Sequence, residues 1–495
     1  MINVLDSRRD EPLFWLLIAQ ICWAPLPLAS NRTWALGILL CMSLVLWFSA
    51  ALRYRGHWPL VIDRLKLFAL PLGVLLALLC WTLLQATPLP LGLIQFLSPN
   101  AAQIWQNIAP DASATLSLNA AQTQLQAALC FIYGSAFLFT VLLVRSSRRM
   151  MALAYALLFM ALFQALLGGF LYSFNAQYEL FTSDVFHGRM LGTYVYHNNA
   201  AGMLAMCLSV GIGLFIVQLE KNTGSQHKKW AVNLLDFMLS KKMLLRLGLV
   251  ILVIALVMTR SRMGNAGFFT AMLLSLALYA VFSPKVRKVI FVLLISLVLI
   301  DIWILGQWVG LDKVVDRLEA TQLNNSAKAA VISKAQQAGA NSLNFVQPHI
   351  EESVEERTLP VAYAQRAVGD YFWTGSGAGT FYSIFPQYRP ASSKGYYDHA
   401  HNDYVEILTD YGVIGASLFA ILALSALWQI ITTIKIRKHP VARGIALGVL
   451  MAMLEIFLHS LVDFNLQIPA NALLFTVIVA LGWSTAQVDK QTRPV

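Results

Sequence analysis

Twelve apolar runs divide this chain, near 12–30, 34–52, 66–85, 124–144, 150–172, 199–219, 244–259, 263–283, 287–306, 411–433, 441–461 and 468–486. Most are close to the roughly 20 helical residues needed to cross a hydrocarbon core about 30 Å thick. In lipid a backbone must satisfy its own N–H and C=O groups, and a helix does so within one segment. Composition supports that reading. The 495 residues are 58% hydrophobic and 12% charged, about half the charge of a soluble domain. Too few charges remain to coat a soluble core of that size. The expected fold is all-α: a polytopic membrane protein of about 12 transmembrane helices. Arg8 and Arg9 precede the first run, which carries Pro25 and Pro27 and leads directly into further spans. It therefore reads as a retained anchor and not as a secretion signal.

The formal charge of +11 is not spread evenly. With the N-terminus in the cytoplasm, most lysines and arginines fall at cytoplasmic ends, as the positive-inside rule requires. Both termini are then cytoplasmic. The basic excess faces anionic lipid and is not a nucleic-acid footprint. The division expected is 1–306 with helices 1–9, a periplasmic loop 307–410, and 411–495 with helices 10–12 and a short tail. A stretch without lysine or arginine, 86–123, reads as a cap over the third and fourth spans. The long loop holds a polar tract from Asn324 to Ala340 and an acidic patch (Glu351, Glu352, Glu355, Glu356). An amphipathic run from Arg357 to Phe372 is expected to form a helix over the membrane mouth. The five cysteines all lie in apolar runs and read as small core residues.

Only four arginines occupy short outer connections: Arg32, Arg189, Arg260 and Arg262. A guanidinium at a membrane boundary is costly unless it meets an anion, so Arg189, Arg260 and Arg262 point to a diphosphate or carboxylate ligand. Snorkelling or structural ion pairing is the alternative. A second signal is Tyr396-Tyr-Asp-His-Ala-His-Asn-Asp-Tyr-Val-Glu. Asp403 followed by Glu406 fits a capping box, which places a helix start at Asp403. His399 and His401 lie on its approach, where an imidazole can take a proton from a hydroxyl near neutral pH. Loop histidines satisfied by backbone, or a metal site, are the alternatives, but no convincing third and fourth ligand is spaced nearby. Glu455, His459 and Asp463 form a polar stripe along the eleventh span, read either as interior hydrogen bonding or as a proton path. His197, Asn198 and Asn199 open the sixth span as cap residues or ligands. No Asp-x-Asp pair and no P-loop is present. Gly375-Ser-Gly-Ala-Gly-Thr reads as a tight turn, or at most an anion-binding nest.

Four motifs, in order, resemble the bacterial O-antigen ligase and polymerase superfamily. They are Gly188-Arg-Met-Leu-Gly-Thr-Tyr-Val-Tyr-His-Asn-Asn-Ala-Ala-Gly, Thr259-Arg-Ser-Arg-Met-Gly, His399-Ala-His-Asn-Asp-Tyr-Val-Glu-Ile-Leu-Thr-Asp-Tyr-Gly, and His459-Ser-Leu-Val-Asp-Phe-Asn-Leu-Gln-Ile-Pro-Ala-Asn. The resemblance covers roughly 185–475. It departs at Tyr196-His197-Asn198-Asn199, where relatives more often show Asn-x-Asn. The resemblance implies a helical glycosyltransferase of the C type, inverting and metal-independent, with no cofactor. The implied donor is a glycan on undecaprenyl diphosphate. The acceptor is lipid A core or a second lipid-linked glycan, for a ligase or a polymerase respectively. It further implies that His401 is the catalytic general base and that Arg189 and Arg262 hold the diphosphate, with Arg260 assisting. His399, His197, Asn199 and Asn402 would support them. The rival class is a transporter or lipid-linked glycan flippase using Glu455, His459 and Asp463 as a proton relay, which predicts discontinuous helices and an inverted repeat.

Overall fold

The computed structural model describes residues 10–108, 114–174, 188–222, 241–283, 295, 354–389 and 397–488. The chain forms two compact units, Met1–Phe282 with Val354–Val495, and Ser283–Ser353. The second unit lies almost wholly outside the described residues, and with it the ninth apolar run (287–306), the polar tract and Glu351 and Glu352. Among the described residues the fold is all-α, with one isolated bridge between Leu89 and Ala114.

The helices are α1 (Glu11–Trp23), α2 (Thr33–Arg53), α3 (Trp58–Lys66), α4 (Ala69–Ala86), α5 (Leu91–Leu97), α6 (Pro99–Ile108), α7 (Ala120–Leu143) and α8 (Ser147–Phe174). There follow α9 (His197–Asn222), α10 (Lys241–Met258), α11 (Arg262–Phe282), α12 (Val354–Asp370), α13 (Phe381–Ile384), α14 (Asp403–Ile436), α15 (Pro440–His459) and α16 (Pro469–Thr485). Eight of the described helices, namely α2, α4, α7, α8, α9, α11, α14 and α15, are long and apolar enough to cross a membrane. Shorter apolar helices form over α1, most of α10, and α16.

Eleven of the twelve apolar runs are therefore helices, with two informative differences. The first run ends early, at Trp23, because Pro25 and Pro27 cannot continue a helix. Leu28, Ala29 and Ser30 then adopt left-handed backbone (φ 51°, 56° and 57°) and turn the chain into α2. The tenth helix begins at Asp403, eight residues before its apolar run, and bends at Gly412 (φ 63°, ψ −174°).

The bend at Gly412 is filled by the glycine-rich turn of 375–380. Ser376 N donates to Thr409 O (2.8 Å), Gly377 N to Asp410 O (3.1 Å), and Val413 N to Phe372 O (2.8 Å). Gly379 N donates to the Asp410 carboxylate (2.8 Å). Gln85 of α4 donates to Thr374 O (2.7 Å) and Asp410 O (2.9 Å). The carbonyls opened by the bend thus recover partners, as buried backbone groups must. Of the two readings of this segment, the tight turn is the one formed, and the anion its backbone meets is Asp410 of the chain itself. A Cβ on Gly375 would overlap Asp410 O, so only glycine permits the approach.

At the centre stands α9, whose span is wholly buried; the α14 span is only 17% buried and lies at the periphery. The most extensive partner of α9 is α15. The backbones meet at glycines: a Cβ on Gly448 would lie 2.8 Å from Ser209 O, and one on Gly213 would meet Gly444 O. Gly444 and Gly448 form a small-xxx-small face, the usual device for close helix approach in lipid. Within the stretch expected to form a cap, α5 and α6 share a core (Ile94, Leu116, Ala367, Tyr371) with α12, while residues 109–113 lie outside the described residues. At the end of the helices away from this cap sit the ion pairs Arg145–Asp10 (2.7 Å) and Arg443–Glu220 (3.5 Å).

Candidate functional site

Three helices, α9, α11 and α14, start at the same end of the molecule, and α15 finishes there. A helix start carries unsatisfied N–H groups and partial positive charge, so this end favours anions. The sequence-predicted residues are distributed over these starts.

The segment before α9 is an arm fastened at several points. Gly188 and Gly192 have positive φ (83° and 60°). A Cβ on Gly192 would lie 2.6 Å from Gln164 Oε1. Gln164 accepts from Thr193 N (3.1 Å), Thr193 Oγ1 donates to Pro25 O (2.5 Å), and Met190 N donates to Met258 O (3.2 Å). The Met190 bond ties Arg189 to the α10–α11 connection. Arg189 Nη1 lies against the His197 ring, 2.9 Å from Nε2 and 3.2 Å from Nδ1. His197 is thus a contact of the arginine, and Tyr196 meets its ring edge-on at 4.7 Å.

The α10–α11 connection is three residues long, Thr259 to Ser261. Arg260 takes left-handed backbone (φ 56°), and Ser261 Oγ caps α11 by accepting from Gly264 N (3.1 Å). Gly264 packs so closely on Ala201 of α9 that a Cβ there would lie 2.7 Å from the alanine methyl. The first turns of α9 and α11 are therefore adjacent, which brings Arg262 next to the helix that starts at His197. Arg260 and Arg262 are both exposed, and neither makes an ion pair or side-chain hydrogen bond among the described residues. Structural ion pairing, one alternative for these arginines, is absent there. Arg32 stands apart, at the cap position of α2.

The histidine motif lies on the non-helical approach to α14, as expected, but its capping differs from the sequence reading. Asn402 is the cap: its side chain accepts from Tyr404 N (3.0 Å) and Val405 N (3.1 Å) and donates to Leu461 O (2.8 Å). Asp403 is the first helical residue, and its carboxylate accepts from Ser460 Oγ (2.6 Å) and Leu466 N (3.1 Å). Glu406 reaches past the helix start. Its Oε2 accepts from Ala400 N (2.8 Å) and its Oε1 from His399 Nδ1 (2.8 Å). Burial alone would lower the His399 pKa. The Glu406 carboxylate, aided by Asp398 and Asp403, reverses this and raises it to about 9. His399 is accordingly a cation at neutral pH, and His401 is the ring of the pair without that carboxylate. His401 takes left-handed backbone (φ 52°), unusual for a side chain of its size.

Phe464, in the turn after α15, joins these parts. Its ring stacks on Tyr196 (5.6 Å, 10°) and on His399 (4.5 Å, 22°), and His401 meets it edge-on at 5.0 Å. The arginine arm and the histidine motif therefore converge on one phenylalanine. Nothing local marks Phe464, because its ring partners lie far away in the chain.

Behind this surface lies the polar stripe. The sequence reading put all three residues on the eleventh span, but α15 ends at His459 and Asp463 lies in the following turn. His459 still bridges the others, with Nδ1 3.0 Å from Glu455 Oε1 and Nε2 4.0 Å from Asp463 Oδ2, all fully buried. Asn198 donates to Asp463 Oδ2. Asn199 donates no contact to the surface; it is buried, and its backbone carbonyl accepts from Asn471 (2.9 Å). Among the described residues no three His, Cys, Asp or Glu side chains form a metal-binding group.

No curated protein matches the chain. The matched stretch of the family comparison includes Arg260, Arg262, His399, His401 and Asn402; Arg189, His197, Asn199 and Phe464 lie outside it. Residues 247–420 match the family model described as O-antigen ligase, and this stretch of the chain is similar to that family.

Proposed function

We propose that the chain is an inverting, metal-independent glycosyltransferase of the O-antigen ligase or polymerase type. It moves a glycan from undecaprenyl diphosphate to an acceptor hydroxyl at the periplasmic face of the bacterial inner membrane, with both chain termini in the cytoplasm. The domain match supports this kind of ligase or polymerase chemistry in general terms. The observation that carries the finer reading is the pair of exposed arginines without an ion-pair partner among the described residues, beside an arm that holds a third arginine within one aromatic cluster of His401.

In this reading Arg189 and Arg262, assisted by Arg260, bind the diphosphate and stabilise the charge that grows on it as the glycosidic C1–O bond breaks. The bonding electron pair leaves with undecaprenyl diphosphate. The acceptor oxygen forms the new bond to C1 from the opposite face, and its proton passes to His401. A diphosphate is a good leaving group, so the arginines substitute for a general acid. His197 supports Arg189, His399 and Asn402 hold the approach to α14, and Asn199 secures the start of α9 against α16.

The test is incubation of purified protein with a lipid-linked repeat alone and then with lipid A core added. Chain growth in the first mixture identifies a polymerase, and product only in the second identifies a ligase. Absence of transfer in both refutes the reading.

A further inference from the structure

The turn that follows α15 is the most heavily fastened loop near the site. Asp403 N donates to both Ser460 O (3.0 Å) and Asp463 O (3.2 Å), and the Asp403 carboxylate accepts from Ser460 and Leu466. Asn198 of α9 holds the Asp463 carboxylate, whose other oxygen accepts from Phe464 N (2.9 Å). Asn465 accepts from Asn471 (3.1 Å), and a Cβ on Gly202 would overlap it. So many bonds on nine residues order a backbone that carries one aromatic side chain, Phe464. Its ring contacts both halves of the proposed site. The stacked Tyr196 belongs to the Arg189 arm, and the stacked His399 and edge-on His401 belong to the α14 approach.

His401 needs such a support. Its left-handed backbone is costly for a non-glycine residue and persists only where neighbours over-determine it. Asn402 on its C-terminal side is held as a helix cap, and Ala400 on its N-terminal side by Glu406. The ring of His401 meets Phe464 edge-on at 5.0 Å.

We propose that Phe464 is a positioning residue: its ring sets the separation between the Arg189 arm and the His401 imidazole, and so aligns the breaking bond with the proton acceptor. This rests on the glycosyl-transfer reading above. Phe464 touches neither reacting group of the substrate. Its loss acts on geometry, and a displacement of about 1 Å at a reacting centre costs about 10²-fold in rate.

The test compares Phe464→Leu, Phe464→Met and Phe464→Tyr with the unsubstituted protein in detergent or nanodiscs. The assay is steady-state transfer from a synthetic lipid-linked glycan. In parallel, NMR of histidine-labelled protein reads the ring-current displacement of the His399 and His401 ring signals. Leu and Met keep apolar volume and remove the flat ring, so kcat falls about 10²-fold with KM for the donor changed less than about threefold. Tyr restores the ring and recovers most of the rate. In the Leu and Met proteins both histidine signals lose their ring-current displacement. Wild-type kcat in a Leu or Met protein whose displacement is gone overturns the proposal. A KM rise with kcat unchanged also overturns it, by making Phe464 a substrate contact, and so does failure of Tyr to restore the rate in a folded protein. If the unsubstituted protein transfers no glycan yet shows the displaced histidine signals, the function reading fails while the placement of Phe464 stands.

Discussion

Replacing Glu406 by Gln keeps the side-chain volume and one acceptor oxygen while removing the charge that faces His399. Nδ1 of His399 is 2.8 Å from that carboxylate, the histidine side chain is 26% exposed, and Glu406 is 2% exposed. The rise from the ordinary 6.5 to about 9 corresponds to about 3 kcal/mol in favour of the charged ring, at 1.36 kcal/mol per pH unit. A histidine with a raised folded-state pKa adds stability that is complete below pH 6.5 and disappears as pH climbs through about 9. In Glu406→Gln, burial of the ring is opposed only by Asp398 and Asp403, so the His399 pKa falls by at least about one pH unit. The stability gap between the two proteins is then at least about 1.4 kcal/mol near pH 6 and narrows towards pH 9. Two measurements check this: titration of the His399 Cε1–H signal, and melting temperature in detergent as a function of pH. The reasoning fails if His399 of the unsubstituted protein titrates at or below 6.5. It fails equally if both proteins lose stability in parallel between neutral and alkaline pH.

His401→Asn tolerates the left-handed backbone and removes the proton acceptor; glycan transfer should fall by about 10²–10⁴ with melting temperature and donor binding retained. Transfer at the wild-type rate would exclude His401 as base. Arg262→Lys keeps the charge but loses the planar fork that grips two diphosphate oxygens, so turnover should drop although net charge is unchanged. A Gly448→Ala side chain would press on the Ser209 and Val210 backbone at 2.8 and 2.9 Å; thermal stability should fall by about 1–3 kcal/mol, and an unchanged melting temperature would refute close α9–α15 contact. Gly375→Ala meets both a positive φ of 72° and the Asp410 carbonyl, so the turn should detach from the α14 bend, which increased protease cleavage near 375 would report.

The apolar runs determined nearly all of the architecture, because in lipid a helix completes its backbone hydrogen bonds within one segment and each span can be read alone. Local chemistry also placed the helix start at Asp403 and the unusual arginines at 189, 260 and 262, whereas the first helix stops at Trp23, short of its apolar run. Tertiary structure decided what those residues meet. Glu406 reads in sequence as half of a capping box, yet it folds back onto His399 and Ala400, leaving Asn402 to cap. Gly375-Ser-Gly-Ala-Gly-Thr reads equally well as a turn or an anion nest until the bend at Gly412 supplies the carbonyls and carboxylate that occupy it. Gly444 and Gly448 look like two more small residues in an apolar run until α9 lies against them. Phe464 carries no local signal, since its partners Tyr196, His399 and His401 are 63 or more positions away in the chain. Helical periodicity reaches only three or four residues along the chain, whereas the rings that meet Phe464 come from positions 196, 399 and 401.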